Sequence, residues 1–160
     1  MKTSFISHSP KETKDFARDF AKQILSKPSQ KKGALVIGLQ GELGAGKTSF
    51  AQGFAKGLGV KEKVLSPTFL IMRKFALSFD RAPSRMTGRN PRFQYFYHID
   101  CYRLQNSKEL LALGWEKIIG NPQNIILVEW ADKIKNILPK GTTSISFETT
   151  KAHERRIILS

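Results

Sequence analysis

The chain has one cysteine, Cys101, so an internal disulfide and a cysteine zinc cluster are both excluded. A buried or bystander thiol accounts for it better than a redox role. No apolar run approaches the roughly 20 residues needed to span a bilayer. The opening residues, MKTSFISHSPKE, lack the apolar core of a secretory signal. A cytoplasmic location without membrane contact is therefore the expectation. Acidic residues are scarce as well, 13 Asp and Glu against 27 Lys and Arg, for a formal charge of +14. Such a field favours polyanions, nucleotides and RNA among them, although it does not choose between them. There is no internal repeat, low-complexity tract or linker. At 160 residues the chain is expected to form a single domain, 1–160, with its own hydrophobic core.

What the sequence does contain is GELGAGKT at positions 41–48, directly after the apolar run ALVIGLQ. The spacing is that of a phosphate-binding loop, G-x-x-x-x-G-K-[ST]. Glycines let consecutive backbone N–H groups curl around an anion. The stretch before it, 34–39, is short, apolar and rich in β-branched residues, as a buried parallel strand should be. After it, Phe50, Phe54 and Leu58 recur at helical spacing. Strand, glycine-rich loop and helix thus come in the order that points a helix N-terminus at a phosphate. The expected nucleotide-binding set is Gly41, Glu42, Leu43, Gly44, Ala45, Gly46, Lys47, Thr48 and Ser49. In it Lys47 reaches the outer phosphates and the Thr48 hydroxyl ligates Mg²⁺.

Elsewhere, TSFIS near the start reads as a strand. Ser9 reads as an N-cap with Pro10 and Glu12 in the first helical turn. Phe16, Ala17, Phe20, Ala21, Ile24 and Leu25 form one apolar face of a helix ending near Ser26. Gly57 and Gly59 mark the stop of the helix after the loop. Segment 66–77 reads as a turn followed by a strand, 93–100 as another strand, and SKELLALGWEKII as a helix with Ser107 as a possible cap. NIILVEW (124–130) reads as a second buried strand, ADKIKNIL as a short helix, and 142–150 with 154–160 as an antiparallel pair. The expected fold is α/β, a P-loop NTPase-like mixed β-sheet flanked by helices.

Transfer or hydrolysis at a bound phosphate also needs a carboxylate near the metal and a group that senses the terminal phosphate. Glu129 closes the strand ILVE, and Asp100 closes FYHID. Ligands collect beyond the carboxyl ends of strands in an open α/β sheet, so both acids are expected to face the loop. Residue type and position leave open which of the two lies in the first metal shell. Thr68, in SPTF, lies where GTPase-like proteins keep a switch threonine. His98, on a strand among aromatics, and Trp130, after Glu129, read as packing residues.

Taken in order, GELGAGKTSF, SPTF, HIDCYRL and ILVEWADK resemble the bacterial TsaE (YjeE) P-loop ATPases over nearly the whole chain. The resemblance implies an ATP hydrolase that uses ATP and Mg²⁺. Its role would be to support threonylcarbamoyladenosine modification of tRNA next to the anticodon, by acting on a TsaB–TsaD complex that performs the transfer. It also implies phosphate and Mg²⁺ roles for Lys47 and Thr48, a switch loop at Thr68, support of hydrolysis by Asp100, a Mg²⁺-side role for Glu129, and a functional placement for Trp130. Contact with tRNA could be indirect.

The sequence departs from the family in two places. Cys101 stands where the family has leucine, one apolar group for another. The segment 77–93, LSFDRAPSRMTGRNPRF, reads as an inserted basic loop carrying Arg81, Arg85, Arg89 and Arg92. Pro83, Gly88 and Pro91 argue against a helix there. It is a solvated loop, a lid, or an arm that contacts RNA phosphates. An arginine-bearing lid would also suit a small-molecule or nucleoside kinase, the alternative function, but no second acceptor site is recognisable. A non-enzymatic nucleic-acid-binding module fits the charge and leaves GELGAGKT and Glu129 without a purpose.

Overall fold

A computed structural model describes residues 3–27, 32–65, 70–77 and 93–160. Thr68 and the arginines of the basic segment lie outside these residues. Among the described residues the strands form one seven-stranded mixed sheet, in the order β1-β7-β6-β2-β5-β4-β3. These are β1 (Thr3–Ser7), β2 (Leu35–Gly41), β3 (Met72–Ala76), β4 (Tyr95–Asp100), β5 (Asn124–Glu129), β6 (Thr143–Lys151) and β7 (Glu154–Leu159). β2 runs parallel to both of its neighbours, β5 and β6, and β5 is parallel to β4. The edges are antiparallel, with β3 on β4 and β7 between β6 and β1. The expected mixed sheet and the closing antiparallel pair are both present. The ends of segment 77–93 meet as a hairpin, where the Leu77 N–H donates to the Gln94 carbonyl at 2.8 Å.

The unbroken apolar runs of β2 and β5 follow from burial on both faces. On one face Ile37, Leu39, Ile125, Leu127 and Phe96 pack against α1 (Pro10–Ser26) and α2 (Lys47–Gly57). On the other, Val36, Ile126, Val128 and Ile99 pack under Leu110 and Trp115. Those two side chains come from the short helices α3 (Lys108–Ala112) and α4 (Trp115–Gly120).

Helix α1 starts as its sequence dictates. The Ser9 hydroxyl accepts the Glu12 N–H at 3.1 Å, and the Glu12 carboxylate accepts the His8 N–H at 2.8 Å. Ala17 and Ala21 are fully buried against α2, and Phe16 and Phe20 pack at tilted angles around Phe50 and Phe54. The closeness of the two helices depends on Gly53 and Gly57, one turn apart on α2. A Cβ on Gly53 would lie 2.2 Å from the Lys14 carbonyl oxygen, and one on Gly57 would lie 2.4 Å from that of Arg18. Helix α2 then stops at Gly59, whose φ of +83° suits glycine, while Val60 N–H returns to the Ala55 carbonyl.

Two expectations need correction. SKELLALGWEKII is not one helix, because Gly114 takes φ +85° and separates α3 from α4. Ser107 also makes no capping bond; its hydroxyl accepts from the Asn136 side chain at 3.0 Å. The segment Ala131–Ile137 is helical as expected but wound as a 3₁₀ helix, kinked at Ile134.

Candidate functional site

The glycine-rich loop joins the carboxyl end of β2 to the N-terminus of α2. Gly44 and Gly46 take φ of +76° and +106°, in the region that side chains rarely adopt. Gly41 is required for another reason: a Cβ there would lie 2.5 Å from the Phe147 carbonyl oxygen on β6. The loop closes on itself through an Ala45 N–H to Glu42 carbonyl bond of 3.2 Å, with Ala45 buried. Leu43, by contrast, is 75% exposed at its tip.

Lys47 opens α2 and turns back under the loop. Its ammonium donates to the carbonyls of Gly41 and Glu42 at 2.6 and 2.7 Å and sits 3.8 Å over the Trp130 ring. Burial pulls its pKa below that of an ordinary lysine, against the opposing pull of the Glu129, Asp132 and Asp100 carboxylates. Trp130 holds its place with φ 58° and ψ 44°, a left-handed conformation costly for a large side chain. Strain of that kind concentrates at functional sites.

Parallel pairing aligns the ends of β4 and β5, so that Asp100 lies opposite Glu129. The Thr48 hydroxyl donates to Glu129 Oε2 at 3.0 Å, and Glu129 is itself buried. His98, fully buried, lies 2.8 Å from the other carboxylate oxygen, Oε1. Asp100 Oδ1 accepts the Tyr102 N–H at 2.9 Å, and the Tyr102 ring packs 5.0 Å from Trp130.

These groups surround one hollow of about 250 Å³, in which Lys47, Thr48, Asp100, Glu129, Tyr102 and Trp130 meet the loop glycines. A second hollow of about 370 Å³ shares Gly44, Gly46 and Ser49 with it and continues to His8, Thr13 and Arg155. The arrangement fits a nucleotide with its divalent cation. The loop presents backbone donors where added side chains would clash or be strained, and one carboxylate and one hydroxyl are already in contact. Among the described residues no cluster of three His, Cys, Asp or Glu side chains could hold a metal. A Mg²⁺ that takes most of its ligands from phosphates and water needs no such cluster.

Every expected site residue within the described chain gathers here: Gly41 to Ser49, Asp100, Glu129 and Trp130. Thr68 lies outside the described residues. Sequence reasoning took His98 for packing and missed its bond to Glu129. The available signal was the alternation of His98 and Asp100, which puts both side chains on one face of β4. It also missed Tyr102 and the hollow formed with His8 and Arg155. Cys101 is buried, its thiol pushed up to about 12 by burial first and the neighbouring Asp100 charge second. No helix among the described residues is long and apolar enough to cross a membrane.

A central parallel strand that ends in a glycine-rich loop and helix, within a mixed helix-flanked sheet, places the chain among α/β proteins of the P-loop NTPase-like class. Within that class it belongs to the TsaE family, since the family model for threonylcarbamoyl adenosine biosynthesis protein TsaE matches residues 7–157. It is 36% identical over 148 residues to the tRNA threonylcarbamoyladenosine biosynthesis protein TsaE of Bacillus subtilis, covering 92% of this chain and 78% of that one. The protein of the same name in Rickettsia prowazekii is 31% identical, over 92% of this chain and 88% of that one. Among solved structures, the crystal structure of YdiB from Bacillus subtilis matches with a TM-score of 0.64 and 28% identity, over 99% of this chain and 84% of that one.

Proposed function

We propose that this chain is a Mg²⁺-dependent ATPase of tRNA threonylcarbamoyladenosine modification, acting on a TsaB–TsaD complex that carries out the transfer next to the anticodon. The observation that carries the reading is the contact of Thr48 with Glu129 at 3.0 Å, beside a lysine held under a glycine cradle. A phosphate entering the loop takes over the Lys47 donors now directed at Gly41 and Glu42 carbonyls, and gains backbone N–H groups of the loop and of the first turn of α2. The hollows on either side of the loop share residues, so a nucleotide with its phosphates in one reaches the other with its nucleoside.

Thr48 and Glu129 would hold Mg²⁺. When bound, the ion neutralises charge on the phosphates. Asp100, on the neighbouring strand end, lines the same hollow, and its role would be to orient the attacking water. Thr68, in the segment SPTF, would contribute a switch contact. We further infer that residues 1–160 act as one domain in the cytoplasm, with tRNA touched through partners.

Steady-state hydrolysis tests the reading. Asp100→Asn and Glu129→Gln keep size and remove charge, and each should slow turnover more than it weakens nucleotide binding. Turnover should respond to TsaB- and TsaD-type proteins and stay basal with small-molecule acceptors. Stimulation by one such acceptor, with its phosphorylated product recovered, would instead mean a kinase.

A further inference from the structure

Glu129 takes two hydrogen bonds, one on each carboxylate oxygen, and the reading above uses only the one from Thr48. The other comes from His98, 31 positions earlier on the adjacent parallel strand. His98 pairs with Leu127 and Asp100 with Glu129, so imidazole and carboxylate lie on the same face of the sheet, two residues offset.

The geometry selects the ring's tautomer. With the proton on Nε2 the ring donates to Oε1 at 2.8 Å; with it on Nδ1, two lone pairs would face each other at that distance. Nδ1 is buried and has no hydrogen-bond partner among the described residues. An imidazole kept only for packing is hard to reconcile with that orphan nitrogen. A phenyl ring would stack on Phe96 equally well, where His98 now lies nearly parallel with centroids 6.5 Å apart, and would carry no unpaired ring nitrogen, but it would leave Glu129 Oε1 without its donor. What the imidazole adds is one directed donor.

A carboxylate on a terminal sp³–sp² torsion presents its oxygens over a broad range. Pinned at Oε1 by His98, the group is held with Oε2 against Thr48. We propose that His98 is a positioning residue of this site, fixing through its Nε2–H which oxygen of Glu129 faces Thr48 and the divalent cation. This rests on the reading of Thr48 and Glu129 as the metal side of a nucleotide site. His98 itself lines neither hollow and acts through Glu129.

The test reads metal coupling. Mg²⁺ is titrated into the protein saturated with a non-hydrolysable ATP analogue, and analogue affinity is measured separately in EDTA. Loss of such outer partners typically weakens metal binding 10- to 100-fold, so His98→Phe should raise the half-saturating Mg²⁺ by roughly tenfold or more. Affinity in EDTA should stay within about twofold, because no phosphate contact is removed. His98→Gln, whose side-chain amide can stand in for Nε2–H, should recover most of the coupling. If His98→Phe does not fold, His98→Asn, too short to reach Oε1, should show the same loss. A donor-free variant with wild-type coupling would overturn the proposal, as would a glutamine variant no better than phenylalanine. Wild-type binding indifferent to Mg²⁺, or a Glu129→Gln variant with unchanged half-saturation, would overturn the metal-side reading itself, and the proposal with it.

Discussion

Replacing Gly53 by alanine sets two well-known effects against each other. In an isolated helix the change stabilises by about 1 kcal/mol, because alanine gives up less backbone freedom than glycine. Here the added methyl would meet Lys14 of α1 at 2.2 Å from its carbonyl oxygen, 2.6 Å from its Cα and 2.7 Å from its carbonyl carbon. Ordinary carbon contacts lie at about 3.5 Å or more, so α1 has to retreat by roughly 1 Å. All three obstructing atoms are helix backbone and cannot rotate aside. The retreat would also loosen Phe16 and Phe20 around Phe50 and Phe54. Overpacking costs about 1–3 kcal/mol, and a rigid neighbour puts this site at the upper end. After the propensity gain the expected net loss is about 2 kcal/mol, or roughly 4–8 °C in Tm for a chain of this size. Gly120→Ala is the control, since its Cβ would meet nothing within 4 Å. It should change stability by no more than about 0.5 kcal/mol. Urea unfolding followed by circular dichroism measures both. Because α2 carries Lys47 and Thr48 on its first turn, Gly53→Ala should also weaken nucleotide binding. A Gly53→Ala protein as stable as wild type, or more so, would refute the claim that close helix contact sets the position of α2.

Three further predictions concern the thiol, the loop and the basic segment. With a pKa of about 12, Cys101 should not react with thiol reagents at pH 8 in the folded protein, where only about one thiol in ten thousand is ionised, and should react promptly in denaturant. Because folding raises this pKa, Cys101 should reduce stability as pH climbs above about 8.5, readable as a falling unfolding midpoint; fast labelling of native protein would contradict its burial. Gly46→Ala forces φ of 106° on a side chain, and should cost nucleotide affinity in calorimetry while unfolding shifts by only about 1–2 kcal/mol. Serine in place of Arg81, Arg85, Arg89 and Arg92 should leave fold and Mg-ATP binding intact and weaken association with the modification complex or tRNA, most visibly at low salt. Wild-type binding across a salt series would make that segment inert, and lost ATP affinity would make it a lid.

The features that were legible in the sequence are local ones. Strand β2, its glycine loop and α2 follow from a short pattern in which composition, spacing and order agree. The Ser9 cap and the apolar face of α1 are equally local. Asp100 and Glu129 could be placed at strand ends because the apolar runs stop there. Less visible was anything that depends on register between distant segments. The His98 to Glu129 bond requires knowing that β4 and β5 are adjacent, parallel and paired as His98 with Leu127. Gly53 and Gly57 look like weak points of a helix until α1 is seen to lie against them. Gly114 was read through because the flanking Leu110, Leu111 and Trp115 keep helical spacing across it; a left-handed turn breaks the helix there without disturbing that pattern. The left-handed backbone of Trp130 leaves no trace in composition, since tryptophan is not a residue that favours it.

The central claim is that Lys47, held under the glycine loop beside Thr48 and Glu129, is the phosphate anchor of a Mg-ATP site. Calorimetric titration of Mg-ATP into wild-type and Lys47→Ala protein, with folding checked in parallel, tests it most directly. A charge-assisted hydrogen bond contributes about 1.5–3 kcal/mol, so the variant should bind roughly tenfold to a hundredfold more weakly. A folded Lys47→Ala protein that binds Mg-ATP as tightly as wild type would contradict the assignment of the loop.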